Sequence, residues 1–378
     1  MDNFNLLIPA LFGQVFYMQR YLLILICLLA GCETKKTTRY DVVLKDKFST
    51  SIPIEFSTPF STTFKGDKAI FLTNLSNKIL VLDKEDFSND SLIEIPDFEA
   101  SDIATLSLNP FNNSVIGHSE KRNGFIEYAG GKTKFYPLNQ SEFFLIDNKK
   151  TSGHFISDSR MILSLVKGDL SLFPQEMINE QLTTFGIYDF DQKKVVDFFG
   201  SYPKEILDAQ GKYPKEFQIP FNLLHDEMLL VGYPLSDEVV SYDVNNFDTH
   251  QSKKVGSDYF KLPSPFSDRQ DRSEVFKLFY YSNKYGPISY HKDLDIFSRV
   301  VIHELPLNSK DACSRRYSLI LFDKNLEKLD EIEVTNINNA DWSFALSTPT
   351  GFMLPGKCEN YQGEDYYIYN AFVEIVEK

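Results

Sequence analysis

Short runs of β-branched and aromatic residues alternate with polar turns along most of the chain after residue 40. A strand-like run that ends in an acid recurs, and these acids are Asp83, Asp147, Asp189, Asp243 and Asp323. Many of these runs, such as YSLILFDKNLEKLDEIEV, continue into a second short strand. Asp and Asn favour tight turns because their side chains hydrogen-bond nearby backbone groups. The pattern therefore predicts a succession of antiparallel β-hairpins.

The spacing of these acids indicates a repeated unit. The gaps between them are 64, 42, 54 and 80 residues, and further strand pairs at 124–138 and 286–304 lie in the wide intervals. The implied period is roughly 40–55 residues with three or four strands per unit, which is typical of β-propeller blades. We therefore expect an all-β fold, with one β-propeller of about six blades over residues 41–378.

A set of β-sandwiches is the alternative architecture, but it would split the chain into two or three domains. No stretch rich in Pro, Ser and Gly separates such domains. The segments 173–181 and 203–211 are expected to be short helices or loop insertions.

The segment MQRYLLILICLLAGC, which starts at Met18, has the features of a bacterial secretory signal. Arg20 is its positive residue, and 21–28 is an apolar run too short to serve comfortably as a final membrane span. Leu29-Ala30-Gly31-Cys32 matches the lipobox of bacterial lipoproteins. We expect residues 1–31 to be removed and Cys32 to carry lipid. An ordinary signal peptide or a single transmembrane helix, with Cys32 incidental, is the alternative.

The predicted anchor makes a membrane the first expected partner. Acyl chains on Cys32 would hold the protein firmly, since each buried methylene contributes ~0.8 kcal/mol. Residues 32–40 form a short polar tether in which only Glu33 is acidic. Surface export is associated with an acidic cluster after the cysteine, so the periplasmic side of the outer membrane is favoured. Residues 1–17 are apolar and carry Asp2, so we expect Met18 to be the true initiator.

The net charge of the chain is −14, and the leader contributes nothing to it because Asp2 and Arg20 cancel. An acidic surface repels phosphate backbones, so nucleic acid is not an expected partner. Aromatic residues make up 14% of the chain, a composition that favours strands.

Two cysteines remain after the signal and the lipid attachment site are set aside, Cys313 and Cys358. They are separated by 45 positions and lie in polar segments of a protein expected in an oxidising compartment. We expect a disulfide, which would stabilise the fold by roughly 4 kcal/mol. Two free buried thiols are the alternative.

Motifs that carry chemistry are absent from the sequence. It holds no phosphate-binding glycine loop, no His-Glu-x-x-His helix and no Gly-x-Ser-x-Gly elbow. No catalytic residue, metal ligand or cofactor is therefore predicted. Two Asp-x-Asp pairs, Asp189 with Asp191 and Asp293 with Asp295, are expected to cap turns rather than to catalyse or bind calcium. Trp342 and the tyrosines are expected to pack between blades, with sugar stacking as the alternative.

The candidate ligand-binding residues lie in the carboxy-terminal third. Strand alternation places Arg299 and His303 on one face, where a guanidinium beside an imidazole could hold an anion. The alternative for Arg299 is an ion pair with an acid of a neighbouring blade. Arg315 and Arg316 are either an anion site in a loop or part of a solvated turn.

The hairpin GPISYHKDLDIFSRVVIHE and the run YSLILFDKNLEKLDEIEV carry a family resemblance. With the lipobox, they resemble a family of uncharacterised bacterial lipoproteins with a domain of unknown function, placed among TolB-like six-bladed propellers. The motif residues here are Tyr290, Lys292-Asp293, Arg299 and Asp323, while Ser298 stands where a typical member has Tyr. The resemblance covers Tyr40 to Lys378, adds Tyr290 to the candidate ligand-binding residues, and implies no activity.

Three functions remain open from the sequence. The first is a lipid-anchored binding or scaffold module of the cell envelope, with an envelope protein or a glycan as partner. The second is a propeller-type hydrolase or lyase that acts on a glycan or lactone in the central channel. The third is a purely structural envelope component.

Overall fold

The computed structural model describes residues 40–45, 50–53, 61–65, 68–72, 78–83, 89–94, 103–119, 121–138, 143–145, 153–167, 183–209, 212–265, 272–305, 315–334, 342, 345–355 and 366–378. Tyr40–Lys378 forms one compact unit. Cys32, Cys313 and Cys358 lie outside the described residues, as do the predicted signal and the segment 173–181. Lipidation and the disulfide therefore stay predictions.

The described strands form six antiparallel sheets. The chain begins with β1 (Tyr40–Leu44) and β2 (Thr50–Pro53). Sheet 1 contains β3 (Ser61–Lys65), β4 (Lys68–Leu72), β5 (Lys78–Asp83) and β6 (Asn89–Glu94). Sheet 2 contains β7 (Ile103–Leu108), β8 (Val115–Ser119), β9 (Gly124–Ala129) and β10 (Lys132–Pro137). Sheet 3 contains β11 (Phe143–Leu145), β12 (His154–Phe155), β13 (Arg160–Lys167), β14 (Phe185–Asp189) and β15 (Lys194–Phe199).

The remaining strands follow the same arrangement. Sheet 4 contains β16 (Phe221–His225), β17 (Met228–Gly232), β18 (Glu238–Asp243) and β19 (Asn246–Lys254). Sheet 5 contains β20 (Lys284–His291), β21 (Ile296–Ile302), β22 (Tyr317–Phe322) and β23 (Lys328–Val334). The closing sheet contains β24 (Leu346–Ser347), β25 (Gly351–Pro355) and β26 (Tyr366–Glu377), and both β1 and β2 pair with β26.

Helices are short in the described part of the chain. They are α1 (Lys204–Asp208), a 3₁₀ helix (Lys215–Phe217) and α2 (Arg272–Tyr281). The helix α1 falls within the segment 203–211, for which a short helix or loop insertion was expected. None of the helices described has the length and apolar character needed to cross a membrane.

The prediction of an all-β propeller is confirmed by the order of the strands. In sheets 1, 2, 4 and 5 the paired strands are consecutive in the chain, and the first strands of several successive sheets contact each other. These contacts join β3 to β7, β16 to β20 and β20 to β24. Two or three sandwich domains would instead divide the sheets into separate units, whereas Tyr40–Lys378 forms one.

The recurring acids mark the turn between the third and fourth strands. Asp243 Oδ1 accepts a hydrogen bond of 2.8 Å from the Asn245 amide, and Asp323 Oδ1 accepts from the amides of Asn325 and Glu327 at 2.9 and 2.8 Å. The interval between Asp243 and Asp323 is long because the insertion that carries α2 lies within it.

Asp147 is the exception among these acids. It follows β11, the first strand of sheet 3, so it does not mark a third strand. The corresponding turn of sheet 2 is made by Gly130 and Gly131, which have φ angles of 56° and 78°. Glycine occupies these left-handed conformations without steric cost, so this turn needs no acid.

The two ends of the chain close the propeller. The strand β1 pairs with the end of β26, with Tyr40 opposite Glu377 and Leu44 opposite Val373. Tyr40 and Val42 contribute to the same buried cluster as the fully buried Trp342. This cluster stabilises the join because it removes apolar surface of both chain ends from water.

In the described turns of sheets 2 to 5 and of the closing sheet, those that precede the second strand and those that follow the third lie on one face, since successive antiparallel strands reverse direction. Turns of neighbouring sheets meet there: Asn109 Nδ2 donates to the Asp158 carbonyl at 2.9 Å, and the Asp293 amide donates to the Pro349 carbonyl at 3.1 Å. We call this the turn face, defined by the turns at 109–114, 130–131, 156–159, 190–193, 226–227, 244–245, 292–295, 323–327 and 348–350. The chain also enters β1 on this face, because Tyr40 pairs with the end of β26.

Candidate functional site

Arg299, the main ligand-binding candidate, is fully buried in the middle of β21. Its Nη2 donates hydrogen bonds of 2.8 and 3.0 Å to the carbonyls of Tyr233 and Ser236, which follow β17 in sheet 4. Its Cζ lies 3.9 Å from the centre of the Tyr285 ring. The guanidinium thus joins sheets 4 and 5 through backbone carbonyls and an aromatic ring. The alternative interpretation had expected an acid of the neighbouring blade in their place. Burial lowers the pKa of Arg299 to about 10.

His303 is 5% exposed and follows β21. Its Nε2 lies 2.6 Å from the hydroxyl of Ser318 on β22. Burial lowers the pKa of His303, and the positive charge of Arg316 lowers it further. The imidazole therefore favours its neutral form, and its Nε2 is already engaged inside sheet 5.

Arg315 and Arg316 precede β22. The Arg316 carbonyl accepts a hydrogen bond of 3.1 Å from the His303 amide, so these two candidates are neighbours. The Arg316 side chain is 68% exposed and lies 3.2 Å from Glu333 on β23. Arg315 is partly buried. Tyr290 lies apart from them, at the turn face.

Trp342 packs in the core, as the packing interpretation expected. Its side chain is fully buried, and its ring meets that of Phe352 edge-to-face with the centres 5.3 Å apart. A side chain without exposed surface offers no platform for a sugar.

Tyr290 pairs with a histidine that the sequence did not single out. The ring of Tyr290, at the end of β20, has its centre 3.8 Å from that of His225, at the end of β16. Tyr290 Oη donates to Asp295 Oδ1 at 2.9 Å, and His225 Nε2 lies 3.4 Å from Asp226 Oδ2. Burial raises the pKa of Tyr290, and the hydrogen bond to Asp295 raises it further. The pair places two rings and two carboxylates where sheets 4 and 5 meet on the turn face.

A cleft of about 240 Å³ lies between sheets 2 and 3. Its rim includes Asn109 and Asn112 from one turn and Asp158 and Ser159 from another, so it opens among the turns of the turn face. The asparagines are held by the local backbone: Asn109 Oδ1 accepts from the Phe111 amide at 3.0 Å, and Asn112 Oδ1 accepts from the Ser114 amide at 2.9 Å.

Aromatic rings form the floor of this cleft. Tyr136, Phe155 and Phe190 are 5%, 4% and 6% exposed. The rings of Phe155 and Phe190 stack with their centres 5.8 Å apart, and Tyr136 meets Phe190 edge-to-face at 4.9 Å. Because these rings pack on one another, the floor is rigid and little of any ring face is free.

Carboxylates supply the charge of the cleft. Glu127 accepts a hydrogen bond of 2.7 Å from the Tyr136 hydroxyl, and Asp191 follows Phe190 in the turn after β14. Burial raises the pKa of Tyr136, with the hydrogen bond to Glu127 as the second cause. The phenol therefore stays protonated and keeps Glu127 in place.

The Asp-x-Asp pair of this turn has two roles. Asp189 Oδ1 accepts from the amides of Asp191 and Gln192 at 3.0 and 2.9 Å, and its Oδ2 accepts from Arg160 Nε at 3.1 Å. Burial alone would raise the pKa of Asp189, but the hydrogen bonds from Gln192 and Arg160 outweigh it and lower that pKa. Asp189 is a turn cap, as expected, while Asp191 lines the cleft.

No local sequence pattern points to the cleft, because its residues lie on four hairpins between 109 and 191. The Asp-x-Asp pattern around Asp191 predicts only a turn. Across the described part of the chain, no three His, Cys, Asp or Glu residues come together in a way that could hold a metal ion.

No family model and no curated protein matches the sequence. Solved structures match the fold. A member of the DUF4221 family from Bacteroides vulgatus aligns over 91% of this chain and 100% of its own, with a TM-score of 0.67 and 13% identity. A putative exported protein from Bacteroides fragilis aligns over 90% of this chain and 95% of its own, with a TM-score of 0.52 and 8% identity. At these identities, what this chain shares with both proteins is their fold.

Proposed function

We propose that this chain is a lipid-anchored protein of the bacterial cell envelope that acts by binding a partner at its turn face. The observation that carries the proposal is the cleft between sheets 2 and 3, which opens among the turns of that face. The pair of His225 and Tyr290 lies on the same face and adds a second set of polar groups. Loops on a rigid scaffold are the usual place for binding residues.

The proposed anchor depends on the segment from Met18 to Cys32, with its lipobox. The Bacteroides fragilis protein of similar fold is described as a putative exported protein, which agrees with an exported location. The similarity in fold to the DUF4221 member supports the proposal that this chain belongs to a family of uncharacterised lipoproteins. We place the protein on the periplasmic side of the outer membrane.

The burial of Arg299 and His303 favours binding over catalysis. The Arg299 guanidinium bonds to two backbone carbonyls, and His303 bonds to Ser318. General acid–base or nucleophilic catalysis needs such groups within reach of a substrate. In this fold both side chains are buried inside the sheets, away from solvent.

An enzyme acting on a glycan or lactone is a second candidate, favoured by one observation. His154 on β12 and Asn222 on β16 belong to the neighbouring sheets 3 and 4, and His154 Nε2 lies 2.6 Å from Asn222 Oδ1. Burial lowers the pKa of His154, which favours the neutral imidazole that a general base requires. Turnover of a glycan or lactone by the wild-type protein and its loss in His154→Asn would establish this candidate.

The anchor is tested by Cys32→Ser, with Cys27→Ser as the control, in cells supplied with labelled palmitate. We expect the wild type and Cys27→Ser to take up label and to sediment with membranes. Cys32→Ser should take up none and lose its stable membrane association. Label on Cys32→Ser, or no label on the wild type, would show that the lipobox interpretation is wrong.

A further inference from the structure

We infer that His154, Asn222 and Ser164 form a binding site for the hydroxyl groups of a neutral carbohydrate, where sheets 3 and 4 meet near their inner edges. The inference deepens the second candidate function and rests on it for the choice of a glycan. It names the protein atoms that would hold the sugar.

Hydrogen bonds join the three side chains in a row across the two sheets. His154 Nε2 donates to Asn222 Oδ1 at 2.6 Å, and Asn222 Nδ2 donates to the Ser164 hydroxyl at 2.9 Å. Because an amide oxygen only accepts, Nε2 carries the proton of the neutral ring and Nδ1 carries none. Burial lowers the pKa of His154, although the hydrogen bonds with Asn222 oppose this, so the ring favours its neutral form.

Both ends of this row can form a further hydrogen bond. Among the described residues, His154 Nδ1 has no hydrogen-bond partner, and the Ser164 hydroxyl has no acceptor for its proton. Nδ1 is not fully buried, and all three residues are partly exposed. The site therefore offers one acceptor and one donor to a ligand.

The row lies beside an apolar layer that joins sheets 3 and 4. That layer contains Ile162, Phe185, Ile187, Phe199, Leu229, Val231 and Tyr242. Cross-strand pairing places His154 opposite Ile162 and Ser164 opposite Phe185, so both polar side chains belong to the same side of sheet 3 as the layer. Apolar side chains already join the sheets there, so a ligand explains the three polar groups better than packing does.

The pairing of sheet 3 is irregular at this point. The strand β11 ends opposite Leu165, and β12 begins opposite Ile162. Between them, Leu163 and Ser164 have no partner on the inner side among the described strands. Ser164, a residue of the second strand, can therefore take part in a site near the inner edge of the sheet.

The chemistry of the two ends favours hydroxyl groups. No charged side chain in the described part of the chain hydrogen-bonds to the three residues, so neither an anion nor a cation would meet an opposite charge. A hydroxyl both donates and accepts, so two hydroxyls of a sugar can satisfy Nδ1 and Ser164 together. A lactone without hydroxyls has only acceptor oxygens and offers Nδ1 no donor. A metal ion would need more ligands than one imidazole, and the described residues contain no group of three that could hold one.

The test uses the full-length protein with ¹⁵N-labelled histidine, in a detergent without a sugar headgroup. Nuclear magnetic resonance of the ring nitrogens reports their protonation, and His154→Gln identifies the signals of His154. The probes are methyl glucoside, methyl galactoside and methyl mannoside, and δ-valerolactone is the probe without hydroxyls. Ser164→Ala removes the donor end of the site, and Ser252→Ala, at an exposed position of β19, is the matched control.

We expect an unprotonated Nδ1 in His154 and a saturable shift of its signal with at least one glycoside, while exposed His250 does not respond. Ser164→Ala should bind that glycoside at least about fivefold more weakly, the effect of one lost hydrogen bond. Ser252→Ala should bind it as the wild type does. A protonated Nδ1, an equal response to the lactone, no response to any glycoside, or unchanged binding by Ser164→Ala would each overturn the inference.

The outcome is separable from that of the proposed function. Glycoside binding without turnover of any glycan would support the site and remove the enzyme candidate. Failure of the site would leave the anchor and binding at the turn face in place, because neither depends on His154.

Discussion

The guanidinium of Arg299 lies 3.9 Å from the centre of the Tyr285 ring, and both residues are at most 1% exposed. Such a pair holds a charged group inside the protein without a carboxylate: the ring face and two carbonyls at Nη2 replace part of its hydration, while the buried Nε and Nη1 have no hydrogen-bond partner among the described residues. Gly232 completes the site from sheet 4: a Cβ there would lie 3.1 Å from Nη2 of Arg299. The contact thus joins two neighbouring sheets at a place where any Cβ would require the guanidinium to shift by a few tenths of an ångström.

Replacing Arg299 with Ala should lower the free energy of unfolding by about 3 kcal/mol or more, since it leaves a cavity and two buried carbonyls without donors. Denaturant unfolding followed by circular dichroism measures the loss. Arg316→Ala is the matched control, because that side chain is 68% exposed and its ion pair should contribute at most about 1 kcal/mol. Equal losses in the two variants would show that the buried contact does not join the sheets.

His291 makes the fold sensitive to acid. Its Nδ1 donates to the Thr348 carbonyl at 3.2 Å, and its Nε2 accepts from the Ser298 hydroxyl at 2.8 Å, an arrangement that fits the neutral ring. Burial lowers its pKa from 6.5 to about 4. Between pH 6.5 and pH 4, His291 therefore binds a proton in the unfolded chain but not in the folded one. The free energy of unfolding falls as the pH is lowered through this range.

The pKa shift of His291 corresponds to about 3 kcal/mol at 1.36 kcal/mol per unit, fully present above pH 6.5. Between pH 7 and pH 4, the free energy of unfolding of the wild type should therefore fall by about 3 kcal/mol more than that of His291→Gln. His250→Gln, at an exposed position of β19, should follow the wild type. A His291→Gln profile parallel to that of the wild type would contradict a buried neutral imidazole.

Two turn acids should differ in importance because their surroundings differ. The Asp189 side chain is 5% exposed and also bonds to Arg160, whereas Asp323 is more exposed and bonds only within its own turn. Asp189→Ala should lower the free energy of unfolding by about 2–3 kcal/mol, and Asp323→Ala by about 1 kcal/mol. Urea unfolding of both variants tests this ranking, which equal or reversed losses would contradict.

Trp342 provides a probe of the join between the chain ends, because it is the only tryptophan of the chain and lies in the cluster that contains Val42. We expect short-wavelength emission that iodide does not quench. Val42→Asp buries a charge in that cluster and should shift the unfolding midpoint of this emission to clearly lower urea. Val43→Asp, at a neighbouring position that is 39% exposed, should leave the midpoint nearly unchanged. Equal midpoints for both variants would show that β1 does not stabilise the join.

The hairpins could be predicted because their signal is local. A third strand followed by Asp189, Asp243 or Asp323 carries its turn chemistry in adjacent residues. The same reasoning fails at Asp147, because an acid after a first strand gives the same local pattern as an acid after a third strand.

The contacts between sheets could not be predicted in the same way. The bonds of Arg299 go to the carbonyls of Tyr233 and Ser236, and any residue type supplies a carbonyl. The cleft likewise depends on turns that are far apart in the chain, which only the packing of sheets 2 and 3 brings together.

The use of the turn face is tested most directly by photo-crosslinking in intact cells. The chain offers a matched pair of exposed aromatic positions for p-benzoylphenylalanine. Phe111 is 56% exposed in a turn beside the cleft, and Tyr259 is 62% exposed in the connection from sheet 4 to sheet 5, away from the turn face. We predict light-dependent adducts with an envelope component from position 111 and none from position 259. Adducts from position 259 alone, or from neither position, would contradict binding at the turn face.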